Sequence, residues 1–487
     1  MLLNRPGAAR ARFQFDLAER GLVLADVLLQ NVQQRFSLLR TEIHSLKIVD
    51  VHIFRRRLVD HAEQQEEVPQ VDANLNAVGV ALAIFGSVDE MNLRLLGRSH
   101  RLTIVTHASP CVNQGELQIG ISAPLTRSTA VLQVGSCMLV TMSRMLEEIR
   151  EQPAALERTL KAELRRAERF KKFLEMRRPR LVILAARGTS DNAALFGRYL
   201  LEITTGIPVS LAAPSIYTLY NARVDLQDTL VAAVSQSGES TDTNIVLSEA
   251  RKRGAMTIGI TNETSSSLAK LAEHVFLVRA GKERSVAATK TFTGQVLMLY
   301  LLAYALGGKV RPDDLARLPE RVEMALTLEP HIAALSERYR FMDHAVVVGR
   351  GLNYANAFEF ALKMMETCYV VAERFSSADF LHGPIALVDR DFPVFAFAPT
   401  GVTWPAIRET VQKLHGLKAE AVLITDAGNR EARFAGSRLI QLPRRLPELH
   451  TPIPFIIPAQ IFTACLADQK GINPDHPRTI TKVTKNL

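Results

Sequence analysis

The chain has 487 residues, of which 47% are hydrophobic and 22% are charged, and its formal net charge is +9. This composition is that of a soluble globular protein, and the length suggests about three domains of roughly 100–200 residues each. A positive net charge is compatible with a nucleic-acid or membrane surface. The excess, however, comes from arginines scattered among acids, without a long basic run. An anionic small-molecule substrate is at least as well supported.

The cysteines and the apolar runs indicate which kinds of protein this chain is not. The four cysteines lie far apart and form no C-x-x-C pair; they are Cys111, Cys137, Cys368 and Cys465. Neither a zinc site nor a disulfide framework is indicated, so we expect no bound metal and a reducing, cytoplasmic environment. The amino terminus lacks the apolar core of a signal peptide, and the longest apolar runs fall short of the ~18 residues that a membrane span needs. We therefore predict a soluble protein without membrane contact.

Residues 1–141 differ from the rest of the chain. Lys47 is the one lysine before residue 142, and the first tyrosine is Tyr199. The segment carries no motif, and its patterns are weak: a helical stretch at residues 23–43 and apolar patches at residues 77–85 and 102–105. Two interpretations compete, an accessory domain and an upstream extension from a misassigned start codon. We favour the extension.

From residue 142 the chain alternates between buried strands and helices. Ser143 is a candidate cap for the first helix. The predicted strands are residues 180–186, 230–234, 256–260 and 274–278, then, after a helical connector at 312–339, residues 344–348, 394–397, 421–424 and 439–442. Two such units predict an α/β fold of two tandem doubly wound domains, with parallel sheets in three layers. The expected boundaries are 142–177 (helical lead-in), 178–310 (first domain), 311–342 (connector), 343–471 (second domain) and 472–487 (tail).

A serine-rich loop follows the strand predicted at residues 230–234. It reads Ser235-Gln236-Ser237-Gly238-Glu239-Ser240. Ligands of open α/β sheets bind at the carboxyl ends of strands, and the N–H groups at a helix start favour an anion. The loop hydroxyls can donate to phosphate oxygens, and no lysine follows the glycine as in a nucleotide P-loop. The alternative is an ordinary serine-rich turn with a helix cap.

Three charged residues share one face of a helix predicted at residues 356–373. Glu359, Lys363 and Glu366 are spaced by four and three residues. The predicted core face consists of Phe358, Ala361, Leu362 and Met365. A solvated Glu–Lys pair is the alternative to a catalytic cluster.

Five segments taken together resemble the sugar isomerase (SIS) domain family. They are Arg187-Gly188-Thr189-Ser190, the loop at 235–240, and residues 285–293, 381–387 and 477–482. Their order is that of the isomerase half of the glucosamine-6-phosphate synthases and of the type II glucosamine-6-phosphate deaminases. The resemblance covers residues 142–487. Two positions depart from it: Arg187 replaces the usual cysteine, and Ala288 stands where the synthases usually have a serine.

The resemblance implies a role for each matching residue. It places the substrate's phosphate on Ser235, Gln236, Ser237, Ser240, Gly188, Thr189 and Ser190, and the sugar on Val286 and Ala288. A carboxylate suits proton transfer between C1 and C2, and an imidazole suits ring opening. By resemblance Glu366 is this base and His382 opens the ring. Lys363 lies near the developing enediolate, Glu359 is a further carboxylate, and Lys482 forms a Schiff base with the open-chain ketose.

The resemblance also implies a homodimer in which the histidine comes from the neighbouring subunit, without a cofactor. The synthases draw ammonia from glutamine through a domain that begins with a catalytic cysteine. This chain begins Met1-Leu2-Leu3, and residues 1–141 contain Cys111 and Cys137 without such a context. We therefore expect deamination of glucosamine 6-phosphate to fructose 6-phosphate and ammonia.

Other functions stay open at this point. Within the enzyme class they are an aminotransferase-like isomerase, a galactosamine-6-phosphate deaminase/isomerase and a deglycase of a phosphorylated sugar–amine adduct. Outside it, the fold also serves in sugar-phosphate-sensing regulators. No helix-turn-helix is evident before the first strand, so no nucleic-acid partner is predicted.

Overall fold

A computed structural model describes residues 12–15, 130–133, 143–434, 437–480 and residue 482. The chain divides into two units, residues 1–140 and 141–487. In the first unit Arg12–Phe15 (β1) and Ala130–Gln133 (β2) pair as antiparallel strands. The helix and apolar patches predicted in this unit lie outside the described residues. All of the predicted site residues belong to the second unit.

The second unit begins with two helices, α1 (Arg144–Arg150) and α2 (Gln152–Met176). The predicted cap is confirmed, because Ser143 Oγ accepts the N–H of Leu146 at 3.2 Å. The carboxylate of Asp475 accepts the next two free donors, the N–H groups of Arg144 and Met145, at 2.8 and 2.9 Å. A negative charge is favourable at this end of a helix. The start of the unit is thus fastened to its end.

The first sheet follows from short apolar strands that are separated by helices. Its elements are β3 (Leu181–Ala185), α3 (Thr189–Thr205), β4 (Val209–Leu211), α4 (Ser215–Thr218), β5 (Thr229–Val234), α5 (Thr241–Lys252), β6 (Met256–Thr261), α6 (Ser267–Leu271), β7 (His274–Leu277) and α7 (Lys290–Ala305). The strand order is β4-β3-β5-β6-β7, and all pairs are parallel. Every residue of β5 and β6 is buried, as expected for strands covered by helices on both faces.

The second sheet repeats this arrangement. After α8 (Pro312–Leu315), α9 (Leu318–Leu326) and α10 (Glu329–Arg338) come β8 (His344–Gly349), α11 (Tyr354–Lys363), β9 (Val371–Ser376), α12 (Ser377–Leu381), β10 (Pro393–Ala398), α13 (Trp404–Gly416), β11 (Glu420–Asp426), β12 (Arg438–Leu442) and α14 (Pro452–Gln469). The order β9-β8-β10-β11-β12 matches the first sheet strand for strand. The predicted α/β fold of two doubly wound domains is confirmed.

The predicted connector is helical but is not one helix. It consists of α8, α9 and α10, and each has a proline in its first turn. A proline has no N–H to donate and is tolerated at a helix start rather than inside a helix. Pro319 and Pro330 therefore divide the connector into three short pieces.

The helix predicted at residues 356–373 is wrong at its carboxyl end. The α-helix stops at Lys363, a π-helical turn covers Met364–Cys368, and Tyr369 then adopts a left-handed conformation with φ of 55°. The rest of the predicted helix is strand β9. The sequence places no glycine at this stop, so the usual signal for a helix end is absent. The short edge strand β4 was not predicted either.

The predicted core face of this helix is also wrong in part. Ala361 is buried, but Phe358, Leu362 and Met365 are only half-buried. Glu359 and Lys363 are fully buried instead. The charged face is turned inward because it contacts α3 of the first domain, as the hydrogen bonds of Glu359 show.

One apolar cluster extends from the first sheet to the second. In its centre lies α7, in which every residue except Tyr304 is buried. Around α11 and α14 the rings of Phe360, Phe395 and Phe462 pack at centroid distances of 5.0 to 5.8 Å. Within the described part of the chain, no helix is both long and apolar enough to cross a lipid bilayer.

We expect Asp475→Ala to lower the free energy of unfolding by about 1 kcal/mol, the usual cost of removing a helix cap. Urea denaturation of the full chain measures this change. The control is Asp468→Ala, which removes an exposed carboxylate near the end of α14 and should stay within about 0.5 kcal/mol of the wild type. Equal losses in both variants would contradict the capping role.

Candidate active site

The serine loop, residues 235–240, connects β5 to α5 at the carboxyl end of the first sheet. Gly238 has φ of +66°, and a Cβ at this position would lie 2.3 Å from Ser266 Oγ, so the turn requires glycine. Ser235 is buried, and its hydroxyl accepts the N–H of Gly238 at 3.1 Å. Ser237 accepts the N–H of Glu239 at 3.3 Å. Two of the predicted phosphate ligands therefore also shape the loop.

The remaining predicted ligands in this loop are half-buried. The hydroxyl of Ser240 lies 3.0 Å from that of Thr243, in the first turn of α5. The carbonyl oxygen of Gln236 accepts the N–H of Asn262 at 3.1 Å, which ties the loop to the residue after β6. Ser240 directly precedes α5, whose first N–H groups are favourable for an anion.

A second turn, Arg187-Gly188-Thr189-Ser190, follows β3 and begins α3; we refer to it as the β3 turn. β3 and β5 are neighbouring strands, and the chain leaves them in opposite directions along the sheet, toward β4 and toward β6. The β3 turn and the serine loop therefore flank the point where the strand order reverses. This point is the usual ligand site in such sheets. Arg187 Nε donates to Asp242 Oδ2 at 3.0 Å and so bridges the two segments. Ser190, by contrast, is buried, and its hydroxyl accepts from Gln295 of α7 at 2.9 Å.

Glu359 connects the β3 turn to the second domain. Its Oε1 accepts the hydroxyl of Thr189 at 3.2 Å, and its Oε2 accepts the side-chain amide of Asn192 at 2.7 Å. Burial raises the pKa of Glu359 to about 7, although Lys363, Asn192 and Thr189 oppose the shift. A carboxyl that binds and releases its proton near neutral pH is a feature of many active sites.

Lys363 lies between two carboxylates. Its Nζ is 3.6 Å from Glu359 Oε1 and makes its closest contact with Glu366 Oε2. Burial lowers the pKa of Lys363, but the carboxylates of Glu359 and Glu366 outweigh it and hold the pKa above its ordinary value. Glu366 is 26% exposed and belongs to the π-helical turn, a distortion that frequently marks functional sites. The three predicted residues thus form one ionic cluster.

Lys482 reaches the segment that precedes α7. Its Nζ donates to Glu283 Oε2 at 2.9 Å and to the carbonyl oxygens of Ser285 and Val286 at 2.6 and 3.5 Å. The carboxylate of Glu283 is fully buried and also accepts the hydroxyl of Thr291 at 2.6 Å. The tail lysine and the predicted sugar-binding residue Val286 are therefore neighbours. Glu283 in turn raises the pKa of Lys363, which indicates that the two clusters are close.

Two predicted site residues, Ala288 and His382, make no polar contact with the ionic cluster among the described residues. Ala288 is half-exposed in the same segment as Val286, and its side chain has no polar group to offer. His382 is exposed after the short helix α12, and among the described residues its ring forms no hydrogen bond with the other predicted site residues. The single chain does not bring His382 into contact with the ionic cluster.

Sequence reasoning missed three residues of this site: Asn192, Asp242 and Glu283. Each pairs with a residue distant in sequence, so no local spacing indicated it. For Asp242 the sequence contained a partial signal. An acid in the first turn of the helix that follows the predicted phosphate loop would repel the phosphate, so a cation such as Arg187 was to be expected beside it. A buried carboxylate before two threonines at a helix start was a similar signal for Glu283.

Comparison with known proteins decides the family. The SIS domain matches residues 175–305 and 340–441. A solved structure from Silicibacter pomeroyi, described as a candidate phosphosugar isomerase, is 31% identical, covers 68% of this chain and 100% of its own, and has a TM-score of 0.63. The chain belongs to the SIS domain family. It carries two SIS domains in tandem.

Relatives with other names match over the same share of the chain. Glutamine–fructose-6-phosphate aminotransferase from Pyrococcus horikoshii is 35% identical over 346 residues, which is 69% of this chain and 57% of that protein. The C-terminal domain of the corresponding Francisella tularensis protein is 29% identical, covers 69% of this chain and 99% of its own, and has a TM-score of 0.64. The two SIS domains are thus homologous to the isomerase half of these proteins, and the chain spans under two thirds of the full-length relative.

We expect Glu359→Gln to change how the free energy of unfolding depends on pH. The folded-state pKa of about 7 exceeds the ordinary 4.5, so the stability from this carboxyl is complete below about pH 4.5 and is lost as the pH rises through about 7. Glutamine cannot titrate, so about 1 to 3 kcal/mol of this pH-dependent loss should disappear. Urea denaturation at pH 5 and pH 8 measures it.

The exposed Glu168→Gln on α2 serves as the control, since its removal should leave the pH dependence of the wild type intact. If Glu359→Gln loses as much stability between pH 5 and pH 8 as the wild type does, the buried carboxyl does not titrate in this range.

Proposed function

We propose that the chain is an amino-sugar-phosphate isomerase and deaminase that converts glucosamine 6-phosphate to fructose 6-phosphate and ammonia. The observation that carries the proposal is the continuous set of contacts from the β3 turn through Glu359 to Lys363 and Glu366. A site for a dianion at one end and a largely buried ionic cluster at the other suit a sugar that carries a phosphate on one terminal carbon and reacts at C1 and C2.

The phosphate binds between the serine loop and the β3 turn. The donors are the hydroxyls of Ser237, Ser240 and Thr189, with the N–H groups at the starts of α3 and α5. Arg187 neutralises Asp242, whose carboxylate would otherwise repel the phosphate from the start of α5. This arrangement fixes one end of the substrate, so that the reacting carbons are held in place rather than captured from solution.

Proton transfer takes place at the other end. His382 opens the sugar ring, and Glu366 then removes the proton from C2 and returns it to C1, which converts the C2 amine to an imine. The ammonium of Lys363 stabilises the negative charge that develops on the substrate. Lys482 adds to C2 and displaces ammonia, and water then releases the ketose from the lysine. Atoms balance with water as the one co-reactant.

We further propose that two copies of the chain share each site. His382 is exposed, as is the adjacent Leu387 at 57%, in a segment that follows α12. A ring-opening histidine cannot act while exposed and separate from the ionic cluster. A second copy that places its own His382 over Glu366 would complete the site. We place the enzyme in the cytoplasm, in keeping with the metabolic role of its relatives.

We expect the wild-type protein to release ammonia from glucosamine 6-phosphate, and Glu366→Gln to lose at least about a hundredfold in kcat, since removal of a general base typically costs this much. A coupled ammonia assay measures the forward reaction, and ammonia with fructose 6-phosphate tests the reverse. The matched control is the exposed Glu373→Gln on β9. If the wild type binds the sugar phosphate tightly but releases no ammonia, it is a sensor rather than this enzyme.

Shared sites predict complementation between inactive variants. Glu366→Gln and His382→Ala should each be inactive alone, whereas unfolding and refolding an equimolar mixture should restore about a quarter of wild-type activity, because half of the dimers are mixed and each has one intact site. Mixing Glu366→Gln with Lys363→Met, two residues of the same chain's ionic cluster, should restore no more than background. If neither mixture regains activity, His382 acts in the site of its own chain and the sites are not shared.

A further inference from the structure

The hydroxyl of Thr189 lies between two possible acceptors. In the structure it donates to Glu359 Oε1 at 3.2 Å. Thr189 also belongs to the β3 turn, where the proposed function places the substrate's phosphate. A hydroxyl has one proton, so it can serve either the carboxylate or a phosphate oxygen, but not both. An anion that binds to this turn must compete with Glu359 for the Thr189 proton.

The oxygen that Thr189 contacts is also the one that faces Lys363. Glu359 Oε1 is 3.6 Å from Lys363 Nζ, a longer separation than that between Lys363 and Glu366. The other oxygen, Oε2, is held by the amide of Asn192 at 2.7 Å. If Thr189 turns away, Oε1 loses a donor, while Asn192 keeps the carboxylate in place. Oε1 then still faces the ammonium of Lys363.

Lys363 Nζ donates a hydrogen bond to Glu366 Oε2 in the structure, so a lone pair of this oxygen is taken by the ammonium and is not available to a substrate proton. Movement of Lys363 toward Glu359 would free Glu366 Oε2 from the ammonium. Buried charges respond strongly to such small changes because little water screens them.

We propose that phosphate binding activates Glu366 by transferring the Thr189 hydrogen bond from Glu359 to the substrate. Thr189 and Asn192 are then positioning residues. Thr189 responds to the phosphate, and Asn192 holds Glu359 in place while Glu359 attracts Lys363 away from Glu366. The proposal rests on the function proposed above. It means that the base is ready only when the phosphate site is occupied, so that binding energy from the remote end of the substrate is used at the reacting carbons.

The first test needs no catalysis. Calorimetry with inorganic phosphate at pH 8, where Glu359 is ionised, should show tighter binding to Glu359→Gln than to the wild type by about threefold or more, because an amide oxygen holds the Thr189 hydroxyl less strongly than a carboxylate. In the Thr189→Val background the Glu359→Gln substitution should have no such effect. The control is Glu366→Gln, which removes the same charge from the cluster without a contact to Thr189.

Kinetics with the sugar phosphate provide a second readout, in which two variants should lose different parameters. Thr189→Val removes a phosphate donor but leaves Oε1 free, so KM should rise about tenfold while kcat stays within about threefold. Glu359→Gln cannot attract Lys363, so kcat should fall at least about tenfold without a rise in KM. Thr189→Ser, which keeps the hydroxyl, should restore wild-type values.

The outcomes separate the switch from the proposed reaction. Equal tightening of inorganic phosphate in Glu359→Gln and Glu366→Gln, or tightening that persists with Thr189→Val, would overturn the switch whatever the enzyme catalyses. Coupling in calorimetry without ammonia release would support the switch and reject the reaction. If Thr189→Val does not fold, Thr189→Ala provides the same comparison, and thermal unfolding identifies this case.

Discussion

A buried carboxylate at the junction of two domains imposes a strict requirement on its surroundings. Glu359 is fully buried, and an ionised group there is stable only if hydrogen bonds and a counter-ion replace the lost water. The first domain supplies Thr189 and Asn192, and the second supplies Lys363. Neither domain satisfies the carboxylate alone. The hydrogen bonds of Glu359 therefore join the two domains, as does the apolar cluster around α7.

The duplicated sheets differ in the loops that occupy matching positions. In the second domain, the loop after β10 occupies the place that the serine loop has after β5. Its donors are already used: the N–H of Thr400 binds Asp426 at 2.8 Å, and the hydroxyl of Thr403 binds Glu448 at 2.6 Å. A Cβ on Gly401 would lie 2.0 Å from Glu448 Oε2, so this carboxylate lies directly against the loop. The carboxylates of Asp426 and Glu448 thus occupy donors of the second loop, which supports the proposal that the phosphate binds at the first.

The sequence predicted what depends on local pattern and missed what depends on distant pairing. Buried strands such as Thr229–Val234 and the cap at Ser143 are local features, and they were predicted nearly to the residue. Glu359 and Asn192 are 167 residues apart, and Lys482 and Glu283 are 199 apart, so no spacing rule connects them. The end of α11 was missed for another reason. Tyr369 adopts a left-handed conformation without being glycine, and its hydroxyl then accepts the N–H of Arg478 at 2.9 Å, a tail contact that follows from the fold.

The same tail contact bears on how the two lysines of the site are held. Asp475 caps α1, and Arg478 stacks over Tyr369 at 4.1 Å at the end of the π-helical turn that carries Glu366, so the tail is held at two points before Lys482. Lys482 is thereby brought to Glu283, as Lys363 is brought to Glu366, and both ammonium groups are neutralised by a carboxylate. Because both lysines are bound to carboxylates in the structure, the proposed reaction requires that substrate binding separate each lysine from its carboxylate.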